Sequence, residues 1–107
     1  MVEYKHYTYR VTWSEEDKEY VALCAEFPSL SCLAEDQQGA MKQMVQLVGD
    51  VVEDMTANGE AVPEPIANKK YSGKLLLRIP PEQHRHLAIE AAEQGVSLNR
   101  YVSSKLV

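Results

Sequence analysis

Cysteine is scarce in this chain. Cys24 and Cys32 are two thiols in 107 residues, too few for a disulfide framework, and with no second pair their spacing does not fit a zinc knuckle. They read as reduced thiols acting as small apolar residues in strands. Long apolar runs are also missing, and nothing approaches the roughly 20 residues that cross a bilayer. The start, Met1-Val2-Glu3-Tyr4-Lys5-His6, lacks the apolar core of a signal peptide, so a cytoplasmic location away from membranes is expected. Carboxylates are absent between Tyr4 and Trp13, whereas two-metal hydrolysis needs several that converge. Glu26 and Asp36 fall near a predicted strand end and a helix start, and nothing in the pattern assembles them with others. His84 and His86 are two apart on a predicted helix and face different ways, a poor metal pair. The expectation is a protein without catalysis, metal or cofactor.

What is present divides by charge. Residues 1–68 hold 13 acidic and 4 basic side chains, a net −9, while residues 69–107 hold 3 acidic and 7 basic, a net +4. Such a division implies two electrostatic tasks, with the basic end suited to phosphate and the acidic end to a basic partner.

The acidic part opens with alternation from Tyr4 to Trp13. Tyr7, Tyr9, Val11 and Trp13 fall on one face and His6, Thr8, Arg10 and Thr12 on the other, which predicts a half-buried strand. Ser14-Glu15-Glu16-Asp17-Lys18 is a polar turn, and Glu19 to Ala25 returns as the second strand of a hairpin. Pro28 forces a bend, because it cannot donate to a ladder, and Ser31 to Ala34 is a short third strand. From Glu35 to Asn58 the period becomes helical. Met41, Met44, Val48, Val51 and Met55, widened by Ala40, Leu47 and Val52, form a core stripe, with Asp36 as N-cap and Asn58-Gly59 as the stop. Glu60 to Ser72 has prolines and no period, so it reads as linker. Ile66 is a residue there that can pack back on the first domain.

The basic part is a short strand, Lys74-Leu75-Leu76-Leu77-Arg78-Ile79-Pro80, ahead of two helices. Pro81 suits the first helical position, with Glu82 near the positive end of the dipole. Leu87, Ala88, Ala91 and Ala92 make a buried stripe. Gly95 closes the first helix and Ser97 caps the second, where Leu98, Tyr101, Val102 and Leu106 face inward. Gly73 to Val107 is only 35 residues, too few to build a core alone, and a lone strand has no partner within the unit. Two copies solve both problems by pairing strands across a two-fold axis. Alternation then turns Leu75, Leu77 and Ile79 toward the helices and Lys74, Leu76 and Arg78 outward, as a two-stranded ribbon that fits the DNA major groove. Leu87, Tyr101 and Val102 complete the expected dimer core.

Gly73 to Pro80, the following helix and Gly95-Val96-Ser97-Leu98-Asn99-Arg100-Tyr101-Val102 resemble the ribbon-helix-helix fold of Arc- and MetJ-type repressors. The Tyr9-to-Trp13 and Tyr20-Val21 strands, Glu26-Phe27-Pro28 and a long helix ending before Pro63-Glu64-Pro65 resemble the HicB antitoxin domain. The two resemblances cover nearly the whole chain, in the order seen in ribbon-helix-helix HicB proteins. They imply an α+β protein: a HicB-like, partial RNase H-like β-sheet plus helix at 1–66, a linker at 67–72, and a ribbon-helix-helix dimerisation and DNA-binding domain at 73–107. They imply as partners a HicA-like toxin (a small basic protein that cleaves RNA), the operator DNA of the chain's own operon, and a second copy of the chain, with dimers pairing into tetramers as an open possibility. For DNA, Arg78 can pair with a guanine edge, Lys74 with guanine or phosphate, and Leu76 with a thymine methyl. Ser97, Asn99 and Arg100 sit where a phosphate can be held. Glu15, Glu16, Asp17 and Glu19 are the densest acidic cluster for the toxin. The alternative is a stand-alone ribbon-helix-helix transcriptional regulator with no toxin.

Overall fold

The computed structural model describes residues 2–106, and the chain divides into two compact units, Met1–Tyr71 and Ser72–Val107. The N-terminal unit is a three-stranded antiparallel sheet covered on one face by a long helix. Strands β1 (Tyr9–Ser14), β2 (Glu19–Cys24) and β3 (Ser31–Ala34) lie in the order β1-β2-β3. Tyr9 pairs with Cys24, Val11 with Ala22 and Trp13 with Tyr20, and Ala22 pairs in turn with Cys32. The expected alternation is therefore present, with Tyr9, Val11 and Trp13 on the face that also carries the buried Ala22 and Cys24.

The expected first strand does not reach back to Tyr4. Tyr4–His6 is a 3₁₀ turn capped by Glu3, and β1 begins only at Tyr9. The hairpin loop is closed locally: Lys18 N donates to Ser14 O at 2.8 Å and takes a left-handed φ of 55°.

Helix α1 (Gln37–Ala57) forms where the period is helical. Asp36 caps it by accepting a hydrogen bond from Gly39 N at 2.5 Å. Asn58 and Gly59 end it with paired bonds, Gly59 N to Thr56 O at 3.2 Å and Glu60 N to Met55 O at 2.9 Å, around a Gly59 φ of 72°. Ala40, Met44, Val48 and Val52 are buried, with Leu47, Val51 and Met55 packed beside them against Tyr7, Phe27, Ala22, Cys24 and Ala34. Each fully buried Met or Val of that stripe contributes about 1.5–3 kcal/mol of transfer free energy. Cys24 is buried and Cys32 half-buried, both unpaired thiols in strands.

The helix crosses the sheet diagonally. A Cβ at Gly39 would lie 3.6 Å from Ala34 Cβ, so α1 starts beside β3; a Cβ at Gly49 would lie 3.0 Å from the Tyr4 ring, so it passes on toward the start of β1. The far corner, where β1 ends, lies off that path. Trp13 is consequently 48% exposed, not part of the core as its alternation suggested.

After α1, residues 62–68 return to the sheet, although their composition reads as linker. Val62 packs on the core, Pro65 is buried, and Ile66–Asn68 is a 3₁₀ turn. Tyr7 Oη donates to Pro63 O at 2.6 Å, Ile66 N donates to Glu26 Oε2 at 2.9 Å, and Asn68 Nδ2 lies 3.2 Å from His6 Nδ1.

The C-terminal unit has two helices, α2 (Pro81–Glu93) and α3 (Leu98–Ser104), packed on each other. Pro81 opens α2, and the turn between the helices is set by two residues. Gly95 adopts φ 70° and closes a two-bond cap, Gly95 N to Ala92 O at 3.0 Å and Val96 N to Ala91 O at 3.1 Å. Ser97 Oγ then accepts from Arg100 N at 3.1 Å. Among the described residues of this unit only Ala91 and Tyr101 are buried, with Ile79, Leu87, Val96, Leu98 and Val102 half-buried. Ala88, Ala92 and Leu106, expected to face inward, are exposed in the single chain. Among the described residues no helix is long and apolar enough to cross a membrane.

Candidate functional site

The segment from Lys74 to Ile79 forms no strand in the single chain. The physical reason is the one its isolation implies: a β-ladder needs a second strand, and the three strands described all belong to the N-terminal sheet. Gly73 enters the segment at φ 82°, and Lys74 N donates to Ser72 Oγ at 3.0 Å. Leu75, Leu76 and Leu77 follow at 81%, 83% and 65% exposure. Of the apolar set expected to face the helices, Ile79 alone is half-buried, and Leu75 and Leu77 have no cover among the described residues. Lys74 and Arg78 are exposed on either side of them, and the described ion pairs do not include either.

At the other end of the unit Tyr101 is the anchor. Its hydroxyl donates to the Glu90 carboxylate, tying α3 to α2. His86 Nε2 lies 2.8 Å from the other oxygen of Glu90, and the Lys105 ammonium sits 5.3 Å from the Tyr101 ring centroid. The Tyr101 hydrogen bond holds the Glu90 carboxyl below its ordinary pKa and in return raises that of the Tyr101 phenol. Leu87 and Val102 are half-buried near this anchor, whereas Asn99 and Arg100 are exposed at the start of α3. Because Ser97 Oγ takes the Arg100 amide, the open backbone donors there are those of Leu98 and Asn99.

The acidic hairpin is partly self-satisfied. Glu15 accepts from Trp13 Nε1 at 2.7 Å and pairs with Lys18, whose hydrogen bond lowers the Glu15 pKa ahead of that from Trp13. Asp17 accepts from Ser14 Oγ at 2.9 Å. Glu16 and Glu19 have no side-chain hydrogen bond or ion pair among the described residues. Beside them stands Trp13, edge-on to Tyr20 with centroids 5.1 Å apart. Its indole N–H is already used, so the ring offers an apolar edge next to carboxylates. Exposure of Trp13 is a feature that alternation alone does not show.

The two carboxylates closest to a catalytic arrangement are occupied by structural roles. Asp36 caps α1. Glu26 accepts from Thr8 N at 2.9 Å, Thr8 Oγ1 at 3.3 Å and Ile66 N at 2.9 Å. A shallow depression on the sheet, lined by Thr8, Arg10, Leu23, Cys24, Ala25 and Pro28, contains no carboxylate. Burial raises the Cys24 thiol pKa, so it is a poor nucleophile. Among the described residues no group of three or more His, Cys, Asp or Glu could hold a metal ion.

The fold and these surfaces define a two-unit α+β protein with an acidic, self-contained half and a basic half that leaves its leucines uncovered. A family model described as HicB family matches residues 57–106, just under half of the chain, and supports a HicB-family protein. The matched stretch runs from the end of α1 through α3, and does not include the N-terminal strands that resemble the HicB antitoxin domain. No curated protein and no solved structure matches the chain.

Proposed function

We propose that the chain is the antitoxin of a type II HicA/HicB-like toxin–antitoxin system. In this reading the N-terminal unit, a partial RNase H-like domain, neutralises a small basic RNA-cleaving toxin. The C-terminal unit pairs with a second copy as a ribbon-helix-helix and represses its own operon by binding operator DNA. The HicB match supports the antitoxin role. The observation that carries the DNA-binding half is the run of three exposed leucines between Lys74 and Arg78, in a unit with only two buried residues among those described. Pairing with a second copy covers Leu75 and Leu77 against Ile79, Leu87, Tyr101 and Val102, and turns Lys74, Leu76 and Arg78 into the major groove. Asn99 and Arg100, with Ser97 capping the helix, flank the ribbon toward phosphate. The toxin faces the hairpin through Glu15, Glu16, Asp17 and Glu19, with Trp13 beside them, because complementary charge speeds encounter and fixes orientation. Glu26 and Asp36, the carboxylates weighed for metal-dependent hydrolysis, are engaged by the Ile66 amide and in the α1 cap, in keeping with a binding role.

One observation favours a second reading. The family match begins at residue 57 and leaves the β-sheet outside it, as it would in a ribbon-helix-helix regulator whose N-terminal unit has no toxin to bind. Co-expression with the small basic protein of an adjacent reading frame separates the two. Co-purification and loss of that protein's RNA cleavage are expected for the antitoxin; failure of both leaves the regulator. For the DNA face, Arg78→Ala is expected to cost about 1–3 kcal/mol of operator affinity and to relax sequence preference. Unchanged affinity would mean that this side of the segment does not enter the groove.

A further inference from the structure

Among the described residues of the N-terminal unit, Glu26 is the side chain with the most hydrogen bonds. Its Oε1 accepts from the Thr8 backbone N–H ahead of β1, and its Oε2 accepts from the Ile66 N–H, 40 residues further along the chain. One carboxylate therefore fastens residues 62–68 to the start of the sheet. Two further bonds act alongside it, Tyr7 Oη to Pro63 O at 2.6 Å and Asn68 to His6 at 3.2 Å. Behind the strap lie Val62 and the buried Pro65, a small apolar contact compared with the core under α1. The 3₁₀ turn that ends the strap is held by Asn68 N to Pro65 O at 3.0 Å and Lys69 N to Ile66 O at 3.2 Å, a single turn with little stability of its own.

We propose that residues 60–68 are a releasable strap, latched by Glu26, that sets the length of the tether between the two units. With the strap latched, the N-terminal unit continues to Tyr71, whose Oη donates to Ile66 O at 3.4 Å, and the boundary with the second unit falls between Tyr71 and Ser72. With the strap released, the freed connection runs from Glu60 to Tyr71, because the Gly59 cap of α1 becomes the last fixed point. At roughly 3.4 Å per extended residue, release adds a reach of up to about 41 Å. Tether length controls the effective concentration of one bound unit at the other's site, so the latch governs how strongly events at the two units are coupled. The latch depends on neither the toxin nor the operator.

Hydrogen exchange and small-angle scattering of the full chain test it. In Glu26→Ala, the Asn68 and Lys69 amides are expected to exchange at least about tenfold faster, as a lost local structure would allow, and the maximum dimension from scattering is expected to increase. If Glu26→Ala does not fold, Ile66→Pro decides the matter, since it deletes only the strap-side donor and leaves the bond from Thr8 N in place. In that variant the Thr8 amide should keep its native protection while Asn68 and Lys69 lose theirs and the molecule lengthens. Unchanged protection at Asn68 and Lys69, or faster exchange with no increase in maximum dimension, overturns the proposal.

Discussion

The two units build helices by the same devices and reach opposite results. Each has a helix closed by a left-handed glycine with two backbone bonds, Gly59 in one and Gly95 in the other, and each has a side-chain N-cap, Asp36 and Ser97. In the N-terminal unit the capped helix lies across a sheet and buries Ala40, Met44, Val48 and Val52. In the C-terminal unit the two helices pack on each other and, among the described residues, bury Ala91 and Tyr101, while three consecutive leucines are exposed. Good local signals therefore specify helices in both, but a core in only one. A large exposed apolar patch on a small unit marks an interface, and in the proposed function the second unit is completed from outside.

The strongest way to break this contrast is to place a charge where the outside cover is expected. Leu77→Glu should abolish the dimer, with the chain running as a monomer in sedimentation and with loss of the helical signal contributed by α2 and α3. Next in size is Met44→Ala, which removes a fully buried side chain of the self-contained unit and should cost about 2–5 kcal/mol. Its unfolding transition, read by denaturant, should not depend on protein concentration, whereas that of the C-terminal unit should.

These positions also separate what neighbouring residues specify from what only the folded chain brings together. The stripe from Ala40 to Met55, the Asp36 cap and the Gly95–Ser97 turn are legible in the sequence because helix period and capping depend on neighbours within a few residues. Long-range arrangement is not. Trp13 alternates with buried residues and yet is exposed, because the diagonal course of α1 misses its corner. The strap at 62–68 reads as linker because its fastening comes from Glu26, Tyr7 and His6, far away in sequence. The Tyr101–Glu90 bond joins two helices across a turn, and helical period places Tyr101 inward without naming its partner. In the candidate DNA face, Lys74 and Arg78 are exposed, but so are the leucines between them, and the strand is absent from the single chain because a ladder requires a second strand.

Smaller effects sharpen the comparison. Asp36→Ala and Ser97→Ala each remove an N-cap and should each cost about 0.5–2 kcal/mol. The first loss should appear in the concentration-independent transition, the second in the concentration-dependent one. Smallest is the pH response of the strap. Burial alone would raise the Glu26 carboxyl, but the hydrogen bonds from the Ile66 and Thr8 amides outweigh it and hold the pKa below the ordinary value. A depressed native pKa gives stability that is present above the ordinary carboxylate pKa, about 4.3, and lost as pH falls through the native value. The facing groups Cys24, Tyr7 and Tyr9 all have raised pKa values and stay neutral there. Amide exchange at Asn68, corrected for intrinsic rate and measured in a His6→Ala background that removes the imidazole facing Asn68, should therefore accelerate on acidification with Glu26 present and not in Glu26→Ala.

Central to the contrast between the units is the proposal that a second copy completes the C-terminal one through Leu75 and Leu77. Sedimentation equilibrium of the full chain, alongside Leu77→Glu, tests that claim most directly. A dimer for the native chain and a monomer for the variant are predicted. A native chain that remains monomeric while α2 and α3 stay folded, or a variant that dimerises as tightly as the native chain, would contradict it.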